Sequence, residues 1–85
     1  MKAHELLADK SKWTQGRRVS RREDGLLSWC ADGALSLCYR DKYEYEQAHR
    51  KAMNAADCLF GRGLIHVNDR LGYEAVMQVL READV

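Results

Sequence analysis

With 85 residues, 46% of them hydrophobic and 32% charged, the chain is long enough for one small core and ordinary in composition for a globular domain. A formal net charge of +1 excludes a global electrostatic pull toward nucleic acid or an anionic membrane. No apolar run approaches the ~20 residues needed to cross a bilayer, and the opening "MKAHELLADKSKW" lacks the apolar core of a signal peptide. The expectation is a cytoplasmic protein without a membrane partner, residues 1–85 forming one helical domain.

Residues 2–10 predict a short first helix with Ala3, Leu6 and Leu7 inward. The segment "WTQGRRVSRREDG" that follows has no helical period. With two glycines and four arginines it reads as an Arg-rich loop or small hairpin, anchored by Trp13 and Val19.

"WCADGAL" (Trp29 to Leu35) places an Asp-Gly pair, a common turn signal, inside an apolar run. A hairpin turning at Asp32-Gly33 would set Trp29 against Ser36 and Leu37 against Ser28, so neither face would be clean. A helix over residues 26–40 sorts better. Ser28, Asp32, Ser36 and Arg40 form a polar stripe, while Leu27, Cys30, Ala31, Ala34, Leu37 and Cys38 lie opposite. Asp24 is placed to cap its start. Gly33 then costs about 1 kcal/mol relative to alanine. Close approach of another helix or of the Trp29 ring compensates; the functional alternative is backbone exposed to a ligand.

Asp41 and Glu44 predict a capped start for a helix reaching Phe60, with Tyr45, Ala48, Ala52, Ala55, Ala56 and Leu59 inward and Gly61 or Gly63 ending it. "LIHVNDRLG" reads as a connector that buries Leu64, Ile65 and Val67 and contains His66. Asn68 and Asp69 are expected to close its turns through their own backbone. The last helix, Tyr73 to Ala83, buries Val76, Met77, Val79 and Leu80 and exposes Glu74, Gln78 and Glu82. The predicted class is mainly α, a single small domain of about four helices with an Arg-rich loop or small hairpin between the first two.

Little in the chain points to chemistry. Cys30, Cys38 and Cys58 are odd in number and form no CxxC pair, which predicts buried reduced thiols. A zinc site using His4, His49 or His66 has no support in the spacing, so no metal and no cofactor are assigned. No paired carboxylates, Cys-His arrangement or glycine-rich phosphate loop stands in a convincing context, so the chain reads as non-enzymatic. The strongest electrostatic feature is Arg17, Arg18, Arg21 and Arg22, suited to phosphate contact and balanced in part by Glu23 and Asp24. Among the tyrosines, Tyr39 and Tyr43 are the candidate interface residues.

"WTQG", "WCADGAL", "VND" and "EAVMQVL" occur in an order that resembles an uncharacterised family of short bacterial and phage proteins. Its pattern is W-x-Q-G, an aromatic-C-A-x-G-A-[LI] helix, N-D and a final amphipathic helix. This chain departs from it in the basic loop after W-x-Q-G and in the short connector after N-D. The resemblance implies a helical fold, a domain often encoded alone, a phage or mobile-element source, and structural signature positions at Trp13, Gln15, Cys30, Gly33, Asn68 and Asp69. The function expected on these grounds is a non-enzymatic interaction protein that binds, and in some settings inhibits, a host protein or nucleoprotein complex such as a CRISPR or other defence effector. The alternative is a nucleic-acid-binding accessory using Arg17 to Arg22. A homodimer is compatible with the small core.

Overall fold

The first turn forms where the sequence places it but stops sooner. In the computed structural model, which describes residues 1–85, α1 is Ala3–Leu6. The Glu5 carboxylate accepts the Lys2 N–H at 2.7 Å. Asp9 interrupts any continuation to residue 10: its Oδ1 accepts the Ser11 N–H at 3.0 Å and opens a separate 3-10 turn, Lys10–Lys12. Ala3, Leu6 and Leu7 are buried, as predicted.

The largest correction falls on residues 26–40. A hairpin occupies part of them: β1, Val19–Arg21, pairs antiparallel with β2, Leu27–Trp29, in the register Val19↔Trp29, Ser20↔Ser28, Arg21↔Leu27. Asp24 caps no helix. Its Oδ1 accepts the Leu26 N–H at 3.0 Å, its Oδ2 pairs with Arg22 at 2.7 Å, and Gly25 takes φ +85°. That closes a three-residue loop with glycine in the left-handed position. Of the two Asp-Gly pairs, the one at 24–25 makes the turn and the one at 32–33 lies in a helix.

That helix, α2, is Ala31–Cys38. Cys30 caps it, its Sγ accepting the Gly33 N–H at 3.3 Å. Ala31, Ala34 and Leu35 enter the core. Because residues 27–29 are extended, the helical stripes do not hold there: Ser28 is buried (4% exposed), whereas Leu27 and Leu37 are 39% and 36% exposed. Gly33 does mark a close approach, but neither a helix nor the Trp29 ring makes it. A Cβ at Gly33 would lie 2.1 Å from the carbonyl oxygen of Arg18, so the hairpin backbone itself rests on α2.

The second half follows the pattern more closely. Helix α3, Lys42–Phe60, begins at Asp41, whose carboxylate accepts the Glu44 N–H at 3.1 Å, and ends at Gly61 with φ +64°. Ala48, Ala52, Ala55 and Ala56 are its buried stripe; Tyr45 is half-buried, and Leu59, expected inward, is exposed. Residues 64–71 are helical rather than a plain connector. Helix α4, Leu64–His66, runs into a π turn, Val67–Leu71, closed by a Gly72 N–H donating to the Val67 carbonyl at 3.0 Å. Leu64 and Val67 are buried, but Ile65 is 71% exposed. Helix α5, Tyr73–Ala83, buries Val76, Met77, Val79 and Leu80 and packs mainly on α3.

The protein is therefore mainly α, with five short and long helices rather than four and a real two-stranded hairpin. Its core is one cluster that gathers α1, α2, α3, α4 and α5. The cysteines depart from expectation: Cys30 and Cys38 are half-buried, Cys58 is exposed, and all three are free thiols. No helix is long and apolar enough to cross a membrane.

Candidate functional site

Four of the six signature residues, Trp13, Gln15, Asn68 and Asp69, meet at one knot, while Cys30 and Gly33 are bonded to each other at the start of α2. Asn68, 2% exposed, sits in the π turn and uses both ends of its amide. Its Oδ1 accepts from the Trp13 indole N–H at 2.8 Å and from the Ala31 N–H at 2.9 Å. Its Nδ2 donates to the Thr14 carbonyl at 3.1 Å and to Asp69 Oδ1 at 2.9 Å. Gln15 Nε2 donates to the backbone oxygens of Asn68 and Asp69 at 3.0 and 3.3 Å, and the Gly16 N–H donates to Asp69 Oδ1 at 3.0 Å. These bonds hold Asp69's carboxyl below the usual carboxylate range, the Asn68 amide first and the Gly16 N–H second. Asn68 and Asp69 thus act across more than 35 residues of sequence, beyond the local turn closure expected of them. The Trp13 ring also meets Tyr73 edge to face at 5.6 Å.

A second polar group hangs on Asp32, which sequence reasoning left as a solvated face of α2. Arg18 Nη2 pairs with Asp32 Oδ2 at 3.1 Å and donates to Ser36 Oγ at 2.8 Å. The Tyr45 hydroxyl donates to Asp32 Oδ1 at 2.5 Å. Burial, and then this bond to a carboxylate, push the Tyr45 hydroxyl up to about 12. Sequence spacing carries no signal for this cluster, because its members lie on the loop before β1, on α2 and on α3.

Between the two groups lies a cleft of about 240 Å³, lined by Gly16, Arg17, Arg18, Cys30, Asp32, Leu64, Ile65, Asn68 and Asp69. Its polar walls are turned onto one another. Asp69 is bonded to Gly16 and Asn68, Asp32 to Arg18 and Tyr45, and Cys30 to Gly33. Every buried side-chain nitrogen and oxygen has a hydrogen-bond partner, and the exposed Arg17 is the charged side chain of the lining that bonds to nothing.

The arginines divide into two sorts. Arg18 is held by Asp32; Arg22 is held by Asp24 and donates to Ser11 Oγ at 3.1 Å. Arg21 donates only to the Gly25 carbonyl, at 3.0 Å, and Arg17 forms no side-chain bond or ion pair. The tyrosine pair separates as well. Tyr43 is exposed, whereas Tyr39 is half-buried and packs on the core, its hydroxyl donating to the Val85 carbonyl at 3.1 Å.

The structure adds a face that spacing did not reveal. On the hairpin, Ser20 and Ser28 turn toward the protein, so Val19, Arg21, Leu27 and Trp29 share the outer side. Val19, expected to anchor the loop, is 46% exposed. Together with Leu37 of α2, Val19 and Trp29 line an open groove of about 340 Å³, floored by Gly33 and edged by Arg18, Ser36 and Arg40. Alternation around Asp24-Gly25 was the signal that would have found this face; it spans only three residues on each side.

Residues 1–84 match a family of unknown function (DUF6197), and the chain belongs to that family. No curated protein and no solved structure matches the chain.

Proposed function

We propose that this member of DUF6197 is a non-catalytic binding protein that docks a partner protein on the outer face of its hairpin and the adjoining flank of α2. One observation carries the reading: exposed Val19 and Leu37 line one groove with the half-buried Trp29, edged by Arg18 and Arg40, and exposed Leu27 and Arg21 continue the same face of the hairpin. Apolar centres with an aromatic residue and arginines around them are the usual make-up of binding hot spots. The cleft beside the knot supports catalysis less well, because Cys30 accepts from Gly33 rather than standing beside a base. The resemblance to phage-encoded proteins implies a partner of host origin, such as a defence effector that the docked protein would block.

The second reading is nucleic-acid binding through Arg17, Arg18, Arg21 and Arg22. What favours it is Trp29 on the same face, an aromatic plane among cations. Against it, Arg18 and Arg22 already hold carboxylates.

A photo-crosslinking side chain placed at Leu37, with a control at Gln78 on α5, separates the two in lysate of the source organism. The protein reading expects a discrete cross-linked protein band at position 37 that survives nuclease treatment. Bands equal at positions 37 and 78 would sink it, and cross-links lost on nuclease treatment would favour the nucleic-acid reading.

A further inference from the structure

The backbone of the hairpin says what shape the partner must present. The Arg22 N–H donates to the Leu26 carbonyl at 2.7 Å, and the Cys30 N–H to the Arg18 carbonyl at 3.0 Å. With the observed register, these two bonds make Arg18/Cys30, Ser20/Ser28 and Arg22/Leu26 the hydrogen-bonded pairs. Val19 and Arg21 then fall in the non-bonded pairs, and their N–H and C=O groups point away from β2. On β2 the equivalent outward group is used: the Trp29 carbonyl accepts the Thr14 N–H at 3.0 Å, and Trp13 bridges to Trp29. That edge is therefore occupied at Trp29. The outer edge of β1 is bare, because the sheet has only two strands and Val19 and Arg21 are exposed.

We propose that this bare edge of β1 takes up an extended, acidic segment of the partner protein as a third strand. The inference rests on the docking face described above and names the chemistry of its occupant. Two residues offering both N–H and C=O in a row are completed by another strand. Nucleic acid meets this edge poorly, since phosphates accept hydrogen bonds and would leave the two carbonyls unpaired. Charge selects among strands. Arg17, Arg21 and Arg40 have no carboxylate partner, Arg18 and Arg22 are paired with Asp32 and Asp24, and of the other acids Asp69 is bonded to Gly16 and Asn68 and Asp41 caps α3. A second copy of this chain would bring arginines against arginines, whereas acidic residues would be drawn in. Val19 and Arg21 share the outer side of β1, so the added strand meets Arg21 with the residues it presents on that face and turns the residues between them inward with Ser20, and the segment alternates acidic with apolar residues.

The test uses the nitrogen-15-labelled full chain and three synthetic probes at up to millimolar concentration: a peptide alternating Glu and Val, one alternating Lys and Val, and single-stranded oligothymidylate. The Glu-Val peptide is expected to shift the Val19 and Arg21 amide resonances and slow their hydrogen exchange at least about tenfold, leaving Ser20 unchanged. Val19→Pro removes an outward N–H without removing a hairpin bond and should weaken binding about tenfold, roughly the effect of one hydrogen bond with its neighbours disturbed. Arg21→Glu keeps every backbone group and should shift preference toward the Lys-Val peptide, which covers the case in which proline distorts the strand. Equal binding of both peptides, unprotected Val19 and Arg21 amides at saturation, or oligothymidylate binding at those amides in place of peptide overturns the proposal. If a protein cross-links at Leu37 while those amides stay unprotected in that complex, strand addition fails and the docking face stands. If the Glu-Val peptide binds the edge and nothing cross-links at Leu37, strand addition stands and the docking reading fails.

Discussion

Asn68 Oδ1 accepts the backbone N–H of Ala31 at 2.9 Å, so a residue of the π turn secures the first turn of α2 from 37 positions away. The same oxygen takes the Trp13 indole. Asn68→Ala leaves the Trp13 indole N–H and the Ala31 N–H without their shared acceptor and strands the Thr14 carbonyl, so unfolding in urea should show a loss of about 2–4 kcal/mol. Trp13→Tyr removes a single one of these bonds and part of a ring contact and should lose clearly less. Equal losses would mean that the knot does not centre on Asn68.

Gly33→Ala should reverse the usual sign of a glycine replacement in a helix. Elsewhere alanine gains about 1 kcal/mol. Here its Cβ would lie 2.1 Å from the Arg18 carbonyl oxygen and 2.9 Å from the carbonyl carbon, both backbone atoms of the hairpin. The hairpin must lift off α2, and a net loss of about 1–3 kcal/mol is expected by thermal or urea unfolding. A stabilised variant would show that the hairpin sits farther from α2.

Tyr45 sets an alkaline limit. Its hydroxyl is raised to about 12 from an ordinary 10, by burial first and by Asp32 second. A raised folded value contributes stability that is complete below pH 10 and is lost as pH climbs from 10 to 12. Burial also raises Tyr39 and Tyr73, so ultraviolet titration should show a spread of tyrosines with Tyr45 ionising last. Asp32→Asn should bring that midpoint down part of the way, since burial remains. A midpoint that stays put would show that Asp32 contributes nothing.

Asp69 acts at the other end of the scale. Its folded value lies below the ordinary 3.8, so its contribution is present above that pH and fades as pH falls through the folded value. Asp69→Asn should therefore give a shallower acid decline in stability than the parent chain. Some slope will persist, because Glu5, Asp9 and Asp84 are also lowered. Superimposable acid profiles would rule out the carboxylate as a contributor.

What could be read in advance was what repeats along a single helix. The Asp41 cap, the alanine stripe of α3, the Gly61 stop and the buried face of α5 follow from spacing alone. A small hairpin before α2 is legible as an alternative to a loop, but its second strand is not: three-residue strands carry too little alternation to outweigh the helix-like run beyond them, and Leu27 to Trp29 belong to both patterns until a partner strand decides. Asn68 and Asp32 were legible as polar residues but not as hubs. Their partners lie on the Trp13–Gly16 segment, the start of β1 and α3, and no local period links such distant positions. Ile65 reads as inward on hydrophobicity and Leu59 on the spacing of the α3 stripe, yet both are exposed, as many apolar side chains of a small domain are.

The wide turn at Val67–Leu71 makes segment length itself a determinant. Each residue of a helix advances its neighbours by about 100°. Excising Arg70 would turn that five-residue hydrogen bond into an ordinary helical one, yet swing the Asn68 amide by roughly that angle about the local axis of the turn. Trp13 and Ala31 would then find nothing to bond to, with every signature residue still in the chain. Homologues one residue shorter in this stretch should therefore carry a different way of fastening the Trp13–Gly16 segment, whatever motifs they keep.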